Sequence, residues 1–186
     1  MKRRAELEEA TRRRITESAV ALHQELGPAQ TSITAIADRA GVRRSTVYRH
    51  FPDEDTLFNA CSSHWRALNP PPDLSRWSAA HTEAALRELY AFYRRTHAMY
   101  DSLFRDEMLV PSVHRRLRDF HRYLRAAQDV LMTGRRLRGH AATRTRAAIG
   151  HALAFTTWQS LIQEQQLADE DAASLMSQLV ESASRH

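Results

Sequence analysis

Apolar residues recur three and four positions apart along most of the chain, which is the spacing of one face of an α-helix. Long stretches that alternate between apolar and polar residues are absent, and the sequence contains only five glycines, so the pattern favours helices over strands. The predicted fold is all-α, with about nine helices. They are expected over residues 7–26, 33–40, 43–51, 54–68, 86–97, 99–108, 111–131, 147–162 and 172–183.

A proline-rich break divides these helices into two groups. The segment Asn69-Pro70-Pro71-Pro72-Asp73 cannot continue a helix, because proline lacks the N–H donor and restrains the residue before it. We therefore predict a small domain over residues 1–68, made of three helices and a connecting fourth, and a larger helical domain over residues 73–186.

Residues Ile33 to Phe51 read ITAIADRAGVRRSTVYRHF and predict a helix, a glycine turn and a second, basic helix. Ser32 supplies an N-cap oxygen for the first of these helices. Gly41 ends it, because glycine enters the left-handed conformation at low steric cost. Val47 and Phe51 anchor the inner face of the second helix, which leaves its polar residues outside. A helix of this kind suits the major groove of DNA.

This run of positions resembles the TetR (tetracycline-repressor-like) family of bacterial transcriptional regulators over roughly Ile15 to Leu57. A first helix that ends at Gly27 is followed by Thr31-Ser32, at the start of the second. Residues 36–42 match the family pattern I-A-x-x-A-G-V, and residues 46–52 match T-[LV]-Y-x-H-F-P. The rest of the chain resembles the family in layout only, as a helical bundle that carries an effector pocket and a dimer interface.

The basic outer face and the resemblance together assign the DNA contacts. Arg44 and Ser45 lie at the start of the third helix, nearest the bases, and Tyr48 matches a family position that contacts the DNA backbone. The full predicted set is Thr34, Arg43, Arg44, Ser45, Thr46, Tyr48, Arg49 and His50.

Three residues depart from the family pattern. Arg43 replaces the serine that usually caps the third helix, which places a cation at the positive end of the helix dipole and favours a nearby phosphate. Glu54 stands where the family commonly has a phosphate-binding lysine, so that contact is not expected. His23 stands where an aromatic residue is usual, and we expect it to lie in the core or at its boundary.

Charge and cysteine content agree with this interpretation. Lysine and arginine number 27 against 22 aspartates and glutamates, for a net charge of +5, which suits a polyanionic partner and equally describes many solvated surfaces. Lys2, Arg3 and Arg4 form a basic arm that either follows DNA phosphates or is a disordered terminus. The single cysteine, Cys61, excludes an intramolecular disulfide, and we expect it to be a small buried thiol.

No apolar run is long enough for a membrane span, and no apolar segment follows the basic start. With one cysteine and no such segment, we expect a soluble protein in a reducing cytoplasm. No cofactor is expected.

The last two helices predict a homodimer. The helix over residues 147–162 is apolar on two sides, so it has to be covered twice, and the final helix carries one apolar stripe. Packing against the same pair in a second chain would form a four-helix interface with twofold symmetry. The alternative is a monomer in which both faces are internal. The predicted interface residues are Ile149, Leu153, Thr156, Leu175 and Leu179.

A small-molecule pocket is expected among inward-facing residues of the larger domain. A methionine and aromatic stripe at helical spacing is more often core than pocket, and both readings stay open here. The candidate ligand contacts are Tyr93, His97, Tyr100, Met108, Phe120, His121, Phe155, Trp158 and Gln159.

Other classes of function have less support in the sequence. It contains no H-E-x-x-H, C-x-x-C, glycine-rich phosphate loop or G-x-S-x-G pattern, so no catalytic residue is assigned. His114 and His121 share a helix face and would supply half of a metal site, but no third ligand accompanies them. The expected function is a ligand-responsive repressor that binds a near-palindromic operator as a homodimer. The alternatives are an architectural DNA-binding protein without an effector and a metal sensor.

Overall fold

The computed structural model describes residues 2–185 and contains nine α-helices and no strand within that range, so the predicted all-α fold is confirmed. A π-helical turn, Ser160–Glu164, directly follows the eighth helix. The helices are α1 (Lys2–Glu25), α2 (Ile33–Ala40), α3 (Arg44–His50), α4 (Glu54–Leu68), α5 (Thr82–Asp106), α6 (Pro111–Met132), α7 (Gly139–Leu153), α8 (Phe155–Gln159) and α9 (Asp169–Arg185).

The chain forms two compact units. The first contains residues 2–70 together with His97–Leu117, and the second contains Pro71–Thr96 together with residues 118–185. The predicted domain boundary assigned His97–Leu117 to the larger domain, whereas this segment packs with the first unit. The sequence alone does not reveal this, because one continuous helix contributes residues to both units.

The first unit has a core built from α1 to α4. Ile15, Val47 and Phe51 are almost completely buried at its centre, and α1 packs against both α2 and α4. Asp53 caps α4, because its side chain accepts a hydrogen bond from the Thr56 N–H. This core fixes the positions of the two short helices α2 and α3.

The end of α5 holds the loop that follows α1. Asp106 is buried, accepts a hydrogen bond from the Ala29 N–H at 2.9 Å, and pairs with Arg105 at 3.1 Å. Arg105 also donates to the carbonyl oxygen of Leu26 at 2.7 Å. Gly27 lies against both side chains at a φ of +91°, where a larger residue would clash with them. The loop between α1 and α2 is therefore anchored on both sides of Gly27.

One predicted helix boundary is wrong, since α5 is continuous where two helices, 86–97 and 99–108, were expected. Thr96 lies near the predicted boundary, inside the continuous helix. Its hydroxyl donates to the Phe92 carbonyl one turn earlier, which satisfies the side chain inside an unbroken helix. Met108 follows in the turn after α5 and is 89% exposed, so its predicted inward position is wrong as well.

The predicted helix over residues 147–162 is interrupted. Ala154 adopts an extended conformation between α7 and α8, which leaves carbonyl groups at the end of α7 without a following turn. Two buried tyrosines from α5 supply hydrogen bonds there. The Tyr90 hydroxyl donates to the Ala152 carbonyl at 2.9 Å, and the Tyr93 hydroxyl donates to the Leu153 carbonyl at 2.6 Å.

Candidate nucleic-acid interface

The turn between α2 and α3 has the predicted geometry. Ser32 accepts a hydrogen bond from the Ala35 N–H at 3.1 Å and caps α2. Gly41 lies in the left-handed region at φ 63° and ψ 39°, and the Val42 N–H donates to the Ala37 carbonyl at 3.0 Å. This hydrogen bond closes the helix end and turns the chain directly into α3.

The helix α3 presents almost all of its polar side chains outward. Val47 is completely buried, and Phe51 directly after the helix is 1% exposed, as the spacing predicted. Arg43 is the N-cap residue and makes no capping hydrogen bond with its side chain. Of the predicted DNA contacts, Thr34, Arg43, Arg44, Ser45, Tyr48 and Arg49 are exposed, and Thr46 and His50 are half-buried.

His50 differs from the other residues of this face. Its Nε2 atom is buried and has no hydrogen-bond partner among residues 2–185. Burial lowers the pKa of the imidazole, and Arg49 and Arg12 lower it further, which favours the neutral ring. A contact between His50 and DNA therefore requires either the other ring nitrogen or a rotation of the ring.

Arg12 of α1 reaches the end of α3, and sequence analysis did not single it out for this role. Its Nη1 donates to the His50 carbonyl at 2.7 Å, and its guanidinium carbon lies 4.3 Å from the centre of the Phe51 ring. The contact joins residues 38 positions apart, so no local pattern marks it.

A second arginine ties α2 to α1. Arg39 donates to both carboxylate oxygens of Glu25, at 2.5 and 2.6 Å. This hydrogen bonding lowers the pKa of Glu25 and raises that of Arg39. Because the pair is exposed, it adds little to the free energy of unfolding.

The basic residues at the start of the chain belong to α1 instead of preceding it. Lys2, Arg3 and Arg4 are exposed within the helix, and Arg4 pairs with Glu8 at 3.3 Å. This part of α1 extends beyond the core of the first unit, whose first buried residue is Ile15.

The predicted ligand contacts are not all in one unit. His97, Tyr100 and Met108 belong to the first unit, where Tyr100 packs edge-on against Trp65 at a ring distance of 5.8 Å. The remainder belong to the second unit and are Tyr93, Phe120, His121, Phe155, Trp158 and Gln159.

Within the second unit, aromatic rings fill the space around Tyr93. The Tyr93 ring centre lies 5.2 Å from that of Phe155, 5.9 Å from that of Trp158 and 6.2 Å from that of Phe120. These rings are buried. These rings form part of the core of the second unit. Their role as ligand contacts stays a prediction, and contact with a ligand would require the rings to move apart. None of them lines the open groove of about 530 Å³ in this unit, which lies along Ala79–Arg87 of the chain and includes Ser177 and Glu181.

The predicted dimer contacts fall into a buried group and an exposed group. Ile149 and Leu153 are 0% and 1% exposed within the chain, so they are core residues and their assignment to a dimer interface is wrong. The face of α7 that carries them is covered internally, and α7 packs along α9. Thr156 is exposed, and Leu175 and Leu179 on α9 are 40% and 50% exposed.

Within residues 2–185, no group of three or more histidine, cysteine, aspartate or glutamate side chains is placed to hold a metal ion. Instead, the Nδ1 atom of His114 lies 3.3 Å from a carboxylate oxygen of Glu107, and His121 is half-buried. Over that range, too, none of the helices has the length and apolar character that spanning a membrane requires.

The fold and the exposed face of α3 define a DNA-binding protein of the helix-turn-helix class. Residues 15–61 match the model of the bacterial regulatory proteins of the tetR family. The match assigns residues 15–61 to this family, and the fold of the whole chain is that of TetR-like transcriptional regulators. A sequence comparison with curated proteins gave no significant match.

Solved structures with the same fold include a TetR-like transcriptional regulator from Rhodococcus sp. RHA1, at 19% identity, 92% coverage of this chain, 93% of that chain and a TM-score of 0.64. NalD of Pseudomonas aeruginosa, the secondary repressor of the MexAB-OprM multidrug efflux pump, is 20% identical. The match covers 95% of this chain and 96% of NalD, with a TM-score of 0.59. The multidrug binding protein EbrR, solved with imidazole, is 18% identical. The match covers 90% of this chain and 88% of EbrR, with a TM-score of 0.59. At these identities the similarity is one of fold.

Proposed function

We propose that the protein is a ligand-responsive repressor that binds a near-palindromic operator as a homodimer. In this proposal α3 enters the major groove, and a small molecule that binds the second unit changes the affinity for DNA. The effector has to bind one state of the protein more tightly than the other, since equal affinity for both would shift nothing.

The observation that carries the proposal is the composition of the exposed face of α3. Arg43, Arg44 and Arg49 lie on it, and neither α3 nor its N-cap contributes an acidic residue. Arg44 and Ser45 occupy the first turn, where side chains meet base edges in this class of protein. The basic face is complementary to phosphate, and the short polar side chains suit hydrogen bonds to base edges in the major groove.

Selection from a randomised duplex library with the purified protein tests the DNA-binding part of this proposal. A regulator is expected to enrich a sequence with twofold symmetry and half-sites about 34–36 Å apart. Affinity for that duplex should exceed affinity for a scrambled one by a factor of at least about 10³. Binding with no sequence preference and a steep salt dependence would instead support the architectural alternative.

Replacing Arg44 tests which residue reads bases. Arg44→Ala is expected to weaken binding to the selected duplex by about 1–3 kcal/mol and to relax preference at one base position. Tyr48→Phe should weaken binding to selected and scrambled duplexes by the same factor, because it removes a contact to the DNA backbone. Arg66→Ala, on the exposed side of α4, is the matched control. An unchanged specificity ratio in Arg44→Ala would exclude Arg44 as a base reader.

The effector part of the proposal is tested separately. Compounds that raise the melting temperature of the free protein are screened for release of the selected duplex. A true effector should still stabilise Arg44→Ala, since that residue lies in the first unit and the proposed pocket in the second. A protein whose DNA affinity responds to none of the stabilising compounds would be a constitutive DNA binder.

A further inference from the structure

The reading helix α3 is held at its C-terminal end by a side chain from α1. Arg12 donates to the carbonyl oxygen of His50, the last residue of α3, at 2.7 Å. The same guanidinium lies over the Phe51 ring, with 4.3 Å between its carbon and the ring centre. Arg12 is only partly exposed, so these two contacts occupy the side chain where the helix ends.

α3 needs such support because it is short. It contains seven residues, of which only Val47 is buried. An isolated helix of this length is unstable in water, and the carbonyl groups of its last turn have no partner within the helix. A cation at this end satisfies one carbonyl and interacts favourably with the negative end of the helix dipole.

The other end of α3 has no comparable support from its own sequence. Arg43 makes no capping hydrogen bond with its side chain, and the first turn contains no acidic residue. Arg44 and Ser45 thus lie at the uncapped end of α3, and the hydrogen bond from Arg12 holds the opposite end.

We propose that Arg12 is a positioning residue for DNA reading, because its contacts with the His50 carbonyl and the Phe51 ring fix the tilt of α3. This inference rests on the proposed function, in which α3 reads bases. Loss of the contact would let the C-terminal turn fray and the helix reorient, so base contacts at its other end would no longer align. A phosphate contact, in contrast, would use the charge of Arg12 directly.

These two roles differ in their salt dependence. For Arg12→Met, which keeps packing against Phe51 but removes the donor and the charge, affinity for the selected duplex is expected to fall about tenfold. Affinity for a scrambled duplex and the slope of log K against log salt concentration should stay unchanged. Arg13→Met, next in sequence with a side chain that is 66% exposed, is the control and should leave the specificity ratio unaltered. If Arg12→Met weakens binding to both duplexes by the same factor and reduces the magnitude of the salt slope by about 0.9, the proposal is overturned and Arg12 is a phosphate contact.

A measurement without DNA separates this proposal from the proposed function. Hydrogen exchange of the free protein should become faster in the peptide that covers residues 44–52 of Arg12→Met, and not in that of Arg13→Met. Arg12→Lys, which retains a donor and a charge, is the second variant and should lie between wild type and Arg12→Met. Unchanged exchange in α3 would refute the anchor even if the protein binds DNA. Faster exchange in a wild-type fold that selects no duplex would retain the anchor and refute the proposed function.

Discussion

Among the buried residues of the first unit, Cys61 and His23 are two ionisable side chains whose neutral form is favoured by burial. Burial raises the pKa of Cys61 to about 12, and its Sγ donates a weak hydrogen bond to the Thr16 carbonyl at 3.8 Å. A thiol with so high a pKa is almost entirely protonated at neutral pH and reacts slowly. Cys61 is therefore a packing residue, as its apolar neighbours in the sequence predicted.

His23 is the other such residue and is 8% exposed. Its ring packs against Phe58 at 5.7 Å, which agrees with the expectation of a core histidine. Burial lowers its pKa from 6.5 to about 4, and the negative charge of Asp106 opposes part of that shift. Protonation would place a cation among apolar side chains.

This burial predicts a specific acid sensitivity. The pKa of His23 is lower in the folded state than in the unfolded one, so the unfolded state takes up a proton first as the pH falls. The stabilisation from neutral His23 is complete above pH 6.5 and is lost between pH 6.5 and about 4, by about 3 kcal/mol in total.

His23→Phe should flatten the dependence of the unfolding free energy on pH in that window, measured by urea denaturation at a series of pH values. His140→Gln, at an exposed position, is the control and should retain the wild-type dependence. If His23→Phe loses stability on acidification as steeply as wild type, another group is responsible.

At the scale of elements, the break between α7 and α8 depends on hydrogen bonds from a different helix. Tyr90 and Tyr93 lie three positions apart on α5, so both hydroxyls reach the same end of α7. Trp158 of α8 donates to Asp169 at 3.0 Å, which connects the helix after the break to the start of α9. The break is thus supported on both sides by side chains of other elements.

Removing one hydroxyl should destabilise the fold without changing its shape. Tyr90→Phe and Tyr93→Phe each leave a buried carbonyl without its donor, at an expected cost of about 1–3 kcal/mol in unfolding free energy. Tyr48→Phe removes a hydroxyl at a residue that is 43% exposed and should change stability by less than about 0.5 kcal/mol. Thermal and urea denaturation measure all three. A cost below that of Tyr48→Phe would show that water replaces the tyrosine hydroxyls.

At the scale of the whole molecule, the surface of α9 decides the proposed assembly. Leu175 and Leu179 lie four positions apart and are 40% and 50% exposed, so they form an apolar strip on one face of the helix. Their neighbours Met176 and Val180 are buried in the second unit. The strip is therefore available to a second chain without any change in the core.

Leu179→Glu is expected to dissociate the proposed homodimer while leaving each chain folded, since Leu179 is already half exposed. Phe155→Glu would not distinguish dissociation from unfolding. Phe155 is 3% exposed, and a buried carboxylate at this position is expected to unfold the second unit. Analytical ultracentrifugation, with circular dichroism as the check on folding, measures the outcome. Leu68→Glu, at a residue of α4 that is 69% exposed, is the control and should not alter the mass. A wild-type protein that sediments as a monomer would refute the dimer.

The sequence by itself determined the candidate DNA interface, because the signals for that interface are local. A capping oxygen at Ser32, a glycine that tolerates positive φ at Gly41, and the spacing of Val47 and Phe51 act within one or two helical turns. The helical type of the elements follows from the same short-range periodicity, whereas the continuity of α5 and the break between α7 and α8 do not. The contact between Arg12 and the end of α3 lies outside this range, since it depends on how α1 and α3 pack.

Only the tertiary structure decided which partner covers each apolar face. Periodicity shows that a helix has an apolar side, but it does not tell whether the same chain or another one covers it. Ile149 and Leu153 are covered internally, Leu179 is left half exposed, and Met108 lies outside any helix. The helical pattern breaks at Ala154, where the tyrosine hydroxyls of α5 satisfy the carbonyl groups that the break leaves. Such hydrogen bonds join residues about 60 positions apart, so packing, and not local sequence, determines them.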